Sequence, residues 1–305
     1  MFIENLNSKT KEEIQLLRNI KAPLVLHFEE KPDIEKLQLI NNLVLNYRND
    51  TIINLKSRAN NWIDLNYFES IGDNISKINF LTFNKTPKFD NLDGIEVFKQ
   101  LKEIAFSYNY SNNIDLDKLS SCPELEYVNL ENAITKKHHN ALNKIKKLKT
   151  LKVKGLDASL LTEMPNLKDL QVMGLKNGDG LDIKMPNLED IGIHSSNKLE
   201  NLDFLKGLKS IESITLDGIS NVESLPDLKN LQKLKVFSVM NMKRLEKISN
   251  FNSEMEILRI GKNVPLLTPD NLTMLTSKNL PNLKDITVDL RTRDESNKIL
   301  QQLKA

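Results

Sequence analysis

Met164-Pro-Asn-Leu-Lys-Asp-Leu-Gln-Val172 recurs almost unchanged as Met185-Pro-Asn-Leu-Glu-Asp-Ile-Gly-Ile193 and again as Leu280-Pro-Asn-Leu-Lys-Asp-Ile-Thr-Val288. Looser copies begin at Ile145, Leu208 and Leu228. With the stretch numbered 0 to 8, apolar residues hold positions 3, 6 and 8. Positions 6 and 8 alternate with polar residues, as a short strand with one buried face requires. Ten starts satisfy this template: Gly72, Phe98, Cys122, Ile145, Met164, Met185, Leu208, Leu228, Asn252 and Leu280. All thirty tested positions are apolar, where a 39% apolar composition supplies about twelve by chance. The repeat therefore decides the architecture, because a chain of stacked units needs no single large core.

Composition narrows the remaining choices. Forty-three basic and 41 acidic residues leave a formal charge of +2, which offers no global attraction to nucleic acid or to a membrane surface. One cysteine, Cys122, excludes an internal disulfide and fits a reducing compartment. The first residues, MFIENLNSKTKEE, lack a basic segment leading into an apolar one, so no signal peptide is expected. No apolar run approaches the roughly 18–20 residues of a spanning helix. The expectation is a cytoplasmic protein, and the wealth of Lys, Asn and Ile points to a bacterial source.

The spacing of the starts, 19 to 28 residues, with L-x-x-L-x-L inside each repeat, resembles the leucine-rich repeat family from about Gly72 to Leu290. The resemblance implies an α/β solenoid curved as a horseshoe. Its parallel sheet would line the concave face, with short helices or 3₁₀ turns on the convex side and helical caps at the ends. It divides the chain into an N-terminal cap with degenerate repeats (1–70), the array (71–291) and a C-terminal capping helix (292–305), in one structural domain. The family's usual Asn, three residues beyond position 8, stands only at Asn109 and Asn263, with Ser196 as a substitute. Leu156, Leu175, Ile219 and Val239 occupy that place elsewhere, implying a less regular asparagine ladder.

Outside the clearest repeats, Lys11–Ile20 reads as an amphipathic segment and Leu24–Phe28 as a strand. Leu37, Ile40, Leu43 and Leu45 fit the template in degenerate form, while Asp50–Phe68, with the one tryptophan Trp62, fits it poorly and reads as an irregular turn. Thr268-Pro269-Asp270 looks like an N-cap and a proline at N1 opening a helix over Asn271–Lys278. Ala133–Lys147 places Ile134, Ala141 and Ile145 at helical spacing. Asp294–Leu303 reads as a closing helix with Ile299, Leu300 and Leu303 inward.

Candidate chemistry is sparse, and no catalytic, cofactor or metal residue is assigned. Cys122 occupies repeat position 0, where other repeats carry Met, Leu or Phe, so a buried hydrophobe is the simplest reading. His138 and His139 are adjacent on a helix and diverge, a poor metal pair. Asn177-Gly-Asp-Gly180 lacks the spaced acids of a calcium loop and reads as a tight turn. Nucleotide and hydrolase signatures are absent. Lysines 144, 146, 147, 149, 152 and 154 form the sharpest charge feature, either a solvated surface or a patch for an acidic partner.

Function in the resembling family resides on the concave sheet, whose outward side chains fall at positions 5, 7 and 9. That face supplies the candidate partner-binding residues: Tyr127, Glu131, Lys152, Lys154, Gln171, Met173, His194, Asp217, Lys235, Phe237 and Arg259. Aromatic and methionine anchors among charges suit a protein interface. The leading expectation is a non-enzymatic scaffold binding another protein, one with an acidic patch, in the manner of an immunity or antitoxin protein or a regulator. Its rivals are a secreted effector or enzyme accessory acting through the divergent N-terminal region, and polyanion binding through the lysine run.

Overall fold

Each alternating stretch forms a strand, and successive strands pair in parallel in the order of the sequence. A computed structural model describes residues 2–56, 63–81, 89–107 and 110–304, and the chain divides into two compact units, Met1–Lys152 and Val153–Ala305. The first unit carries β1 (Phe2–Ile3), β2 (Leu24–Phe28), β3 (Thr51–Lys56), β4 (Lys77–Leu81), β5 (Glu103–Phe106) and β6 (Tyr127–Ala133). The dividing point falls inside β7 (Thr150–Lys154). The second unit continues with β8 (Asp169–Met173), β9 (Asp190–His194), β10 (Ser213–Asp217), β11 (Val236–Met240), β12 (Ile257–Ile260) and β13 (Asp285–Val288).

Within each unit the ladder register joins equivalent repeat positions. In the first, position 6 runs Ile53, Ile78, Ile104 and Val128 as successive partners. In the second it runs Leu170, Ile191, Ile214, Phe237 and Leu258, each fully buried. Between strands the chain returns through short segments, among them 3₁₀ turns at Leu116–Ser121, Ala158–Leu160 and Asp203–Gly207. Helices at Ile34–Leu43, Lys136–Leu142 and Leu181–Lys184 take the same place in other repeats. One parallel strand per repeat, a buried row at positions 6 and 8 and a short return are the architecture of a leucine-rich repeat solenoid.

The two cores differ in filling. The first unit stacks aromatic rings: Phe80 lies 4.3 Å from Phe89 and 4.8 Å from Phe106, its plane nearly parallel to the latter's. The second is mostly aliphatic, with Phe237 against Phe251 at 4.9 Å as its aromatic contact. β7 to β11 leave through a left-handed residue at position 10, namely Gly155, Gly174, Ser195, Gly218 and Asn241. Only a residue tolerant of positive φ can make that exit. One place further on, Ser196 is fully buried. Its hydroxyl accepts from Leu175 N at 2.8 Å and donates to the His194 carbonyl at 3.1 Å, doing the work of the missing asparagine. The apolar residues at this place, Leu156, Leu175 and Ile219, extend the core instead.

Four sequence expectations change. First, the repeat placed at Leu228 starts at Leu231, because Ile214 pairs with Phe237 and Leu216 with Val239. Phe237 and Val239 thus hold positions 6 and 8, and Met242, not Val239, takes the asparagine place. Second, the strand sought near Leu43 and Leu45 is helix Ile34–Leu43 followed by a 3₁₀ turn. The strand itself is β3, inside the stretch read as an irregular turn; Trp62, like Asn109, lies outside the described residues. Third, the ladder reaches back to Phe2, so residues 1–70 contribute three strands of the same kind. Fourth, Thr268 closes a capping box on Asn271 but only the 3₁₀ turn Pro269–Asn271 follows, with no helix through Lys278.

The remaining helices form where expected. Lys136–Leu142 is helical, with Ile134, Ala141 and Ile145 all buried. Arg293–Lys304 buries Ile299 and Leu303 and leaves Leu300 half-buried; Gln302 donates to the carbonyls of Leu272 and Thr273.

Candidate interaction surface

Positions 5, 7 and 9 of the strands point away from the core and form an open sheet face in each unit. In the first unit its charges are largely matched within the face. Lys77 meets Glu103 at 2.6 Å, Lys56 meets Glu29, and Asn79 donates to Asn54 at 2.8 Å. Tyr127 is half-buried between two ammonium groups, Lys77 at 5.6 Å and Lys152 at 5.7 Å from its ring centre, within reach of a cation–π attraction. Glu131 is half-buried at the far end of β6, and Lys154 is exposed on β7.

The second unit has a different balance. Gln171 donates to Asp169 at 2.8 Å and to Asp190 at 2.6 Å, so a neutral amide bridges two carboxylates. Its side chain lies across Gly192, where a Cβ would fall 1.9 Å from the Gln171 Oε1 atom. Asp217 accepts from Asn241 at 2.7 Å and stands 3.7 Å from His194. Arg259 pairs with Asp285 at 2.7 Å. Met173 is 47% exposed, a large apolar group left in solvent.

Nine of the eleven candidate residues therefore lie on the open face: Tyr127, Glu131, Lys152, Lys154, Gln171, Met173, His194, Asp217 and Arg259. Two do not. Phe237 is fully buried, and Lys235 precedes β11 at position 4, exposed beside Glu256 at 3.8 Å. The three-residue register shift moves both. It brings Val236, Ser238 and Met240 onto the face in their place, with Val236 beside Ile257 across the ladder. A left-handed residue at position 10 was the available signal. The Leu231 start puts Asn241 there, a residue type suited to positive φ, whereas the Leu228 start puts Ser238, although Ser195 makes the same exit in another repeat.

The lysine run is stitched to acids of preceding repeats. Lys144 reaches Asp117 at 2.9 Å, Lys147 reaches Glu124 at 2.7 Å and Lys149 reaches Glu126 at 2.8 Å. These contacts divide it and leave no continuous basic stripe. Cys122 is buried, and burial pushes its thiol up to about 11. His138 and His139 are both buried in helix Lys136–Leu142, and burial holds His138 below the ordinary imidazole range. Asn177–Gly180 is a tight turn: Asn177 accepts from Asp179 N, and a Cβ at Gly178 would strike the Phe204 ring at 2.2 Å.

Among the described residues no group of three or more His, Cys, Asp or Glu side chains is placed to hold a metal. Nor is any helix long and apolar enough to cross a membrane. A cleft of about 230 Å³ touches His27 and Glu29 at the end of β2, and one of about 340 Å³ lies among the returns near Lys229, Phe251 and Lys278.

No family model matches the sequence, and no curated protein matches it. Among solved structures the chain is similar to the leucine-rich repeat domain of APL1B, at 13% identity, 87% coverage of each chain and a TM-score of 0.47. An internalin from Listeria monocytogenes shares 14% identity over 96% of this chain and 92% of its own, with a TM-score of 0.44. A leucine-rich repeat protein of Leptospira interrogans shares 14% over 94% and 99%, with a TM-score of 0.33.

Proposed function

We propose that this chain is a non-catalytic scaffold that holds a partner protein against the open face of its strands. The observation that carries the reading is the placement of Met173. It is 47% exposed at the end of a strand whose other face is a fully buried aliphatic row. It stands beside half-buried Gln171 and His194 and contributes nothing to the core. Large apolar groups among oriented polar ones are what a protein interface uses. Stoichiometric occlusion of a partner, as an immunity protein occludes a toxin, is a role such a face can fill without chemistry of its own.

The test uses two photo-crosslinking residues in the full chain. One replaces Met173 on the open face. The other replaces Ile183, which is 71% exposed in the return helix Leu181–Lys184 of the same repeat. In cells that make the protein, a discrete protein adduct should form from position 173 and not from 183. An adduct from 183 alone would place the interface on the returns and end this reading.

A further inference from the structure

We infer that the open face of β8 to β13 takes a basic segment that also carries apolar side chains, as part of a partner protein. This rests on the open face being the binding face, and adds what it binds.

Successive ladder partners at position 5 run Asp169, Asp190, Ser213, Val236, Ile257 and Asp285. An apolar pair thus stands with Asp285 on one side and, beyond Ser213, Asp190 and Asp169 on the other. Position 9 repeats the pattern in the other row, with Asp217 beside Met240 and Met173 further along. Taken over positions 5, 7 and 9, these six strands present Asp169, Asp190, Asp217, Asp285 and Asp289 against Arg259 as the one permanent cation.

That arginine is already engaged by Asp285. Asp169 and Asp190 receive hydrogen bonds from a neutral amide, which satisfies oxygen atoms and leaves their charge in place. The lysines at position 4 of the same strands are engaged by glutamates of that edge instead. Lys168 reaches Glu189 and Lys284 reaches Glu256. On the first unit, by contrast, Lys77, Lys56, Glu103 and Glu29 pair with one another. The uncompensated field therefore lies on β8 to β13, beyond the exposed Lys154 of β7. Its sign selects a cationic partner, and the apolar Val236, Ile257 and Met240 select one with apolar groups between its charges. An acidic partner, the reading drawn from the lysine run, would meet like charge here.

The experiment titrates the full chain with two labelled twelve-residue peptides, one alternating lysine with leucine and one alternating glutamate with leucine. The lysine peptide should bind at least tenfold more tightly at low salt and lose most of that advantage at 0.5 M salt, where the screening length is only a few ångströms. The triple variant Asp169→Asn, Asp190→Asn, Asp217→Asn keeps the oxygens that accept from Gln171 and Asn241. It should bind the lysine peptide at least tenfold more weakly, with an unchanged melting curve. Glu163→Gln with Glu200→Gln, exposed on the returns of the same unit, should leave that affinity within twofold.

Failure to bind the lysine peptide, equal loss from both sets of variants, or equal binding of the two peptides would overturn the inference. If the glutamate peptide binds as well and Met240→Ser with Ile257→Ser abolishes both, the face binds protein but charge does not choose the partner. If neither open-face set alters any binding, the open-face reading falls as well.

Discussion

Phe237 and Met173 lie on strands of the same unit, with their side chains on opposite sides of the sheet, and one kind of substitution separates them. Phe237→Ala removes a ring that is fully buried against Phe251 and should cost about 3–5 kcal/mol, read as a lower urea midpoint. Met173→Ala should change stability by no more than about 0.5 kcal/mol, as surface changes do. An unchanged midpoint for Phe237→Ala would mean that the Leu231 register is wrong. Cys122 offers a second check on burial. With its thiol pushed to about 11, little thiolate exists at pH 8, so a thiol reagent should label it only as the chain unfolds. The slip at Leu228 shows what residue types alone leave open. Leu228, Leu231 and Leu234 stand three apart, and both Val236 and Val239 suit a buried final position, so two frames satisfy one apolar template. Pairing with Ile214 and the left-handed exit at Asn241 distinguish them, and neither is a matter of hydrophobicity.

At the scale of elements, β3 was hidden by a polar substitution in the repeat itself. Aligned on Ile53 and Leu55, template position 3 is Asp50 and position 0 is the exposed Tyr47. An Arg48 side chain, only 7% exposed, replaces the usual apolar packing. Its guanidinium donates to the carbonyls of Leu17, Ile20 and Ala22 and to both oxygens of Asp50. Arg48→Ala should therefore cost about 2–4 kcal/mol by leaving those acceptors without their charged donor, and Arg48→Lys should recover only part, since an ammonium cannot span them. A loss below about 0.5 kcal/mol for Arg48→Ala would remove the guanidinium as the clasp of this turn. Helix Lys136–Leu142 supplies a pH test. His138 closes its capping box with Thr135, and burial lowers its pKa, opposed in part by the backbone of Ile114. A depressed imidazole means that the unfolded chain binds the proton first. Stability should then be full above about pH 6.5 and decline as pH falls below it. His138→Gln should flatten the dependence of the urea midpoint between pH 7.5 and 5.5; an unchanged slope would assign the loss to other groups.

For the whole molecule, the array was legible because its information is repeated: nine of ten template starts coincide with the observed frame. The division between Lys152 and Val153 was not, since it falls inside a strand whose apolar positions, Leu151 and Val153, continue the pattern without a break. Which interactions hold the stack is a separate matter, and magnitudes decide it. Consecutive repeats are joined by ion pairs such as Lys147–Glu124, with side chains 50% and 37% exposed, and Lys168–Glu189, at 54% and 43%. Exposed pairs of this kind contribute about 0–1 kcal/mol each and are screened by salt. The buried row has no such weakness: Leu170 is fully enclosed by its neighbouring layers, and truncating it opens a cavity that the stack can close only in part. Leu170→Ala should cost about 2–5 kcal/mol. Raising sodium chloride to 0.5 M should shift stability by less than about 1 kcal/mol, and Lys147→Glu with Lys149→Glu by about 1–2 kcal/mol at low salt, fading as salt rises. Urea midpoints of the three proteins at two salt concentrations test this ordering. If salt alone destabilises the parent chain more than Leu170→Ala does, the ladders of charge rather than the apolar layers hold consecutive repeats together.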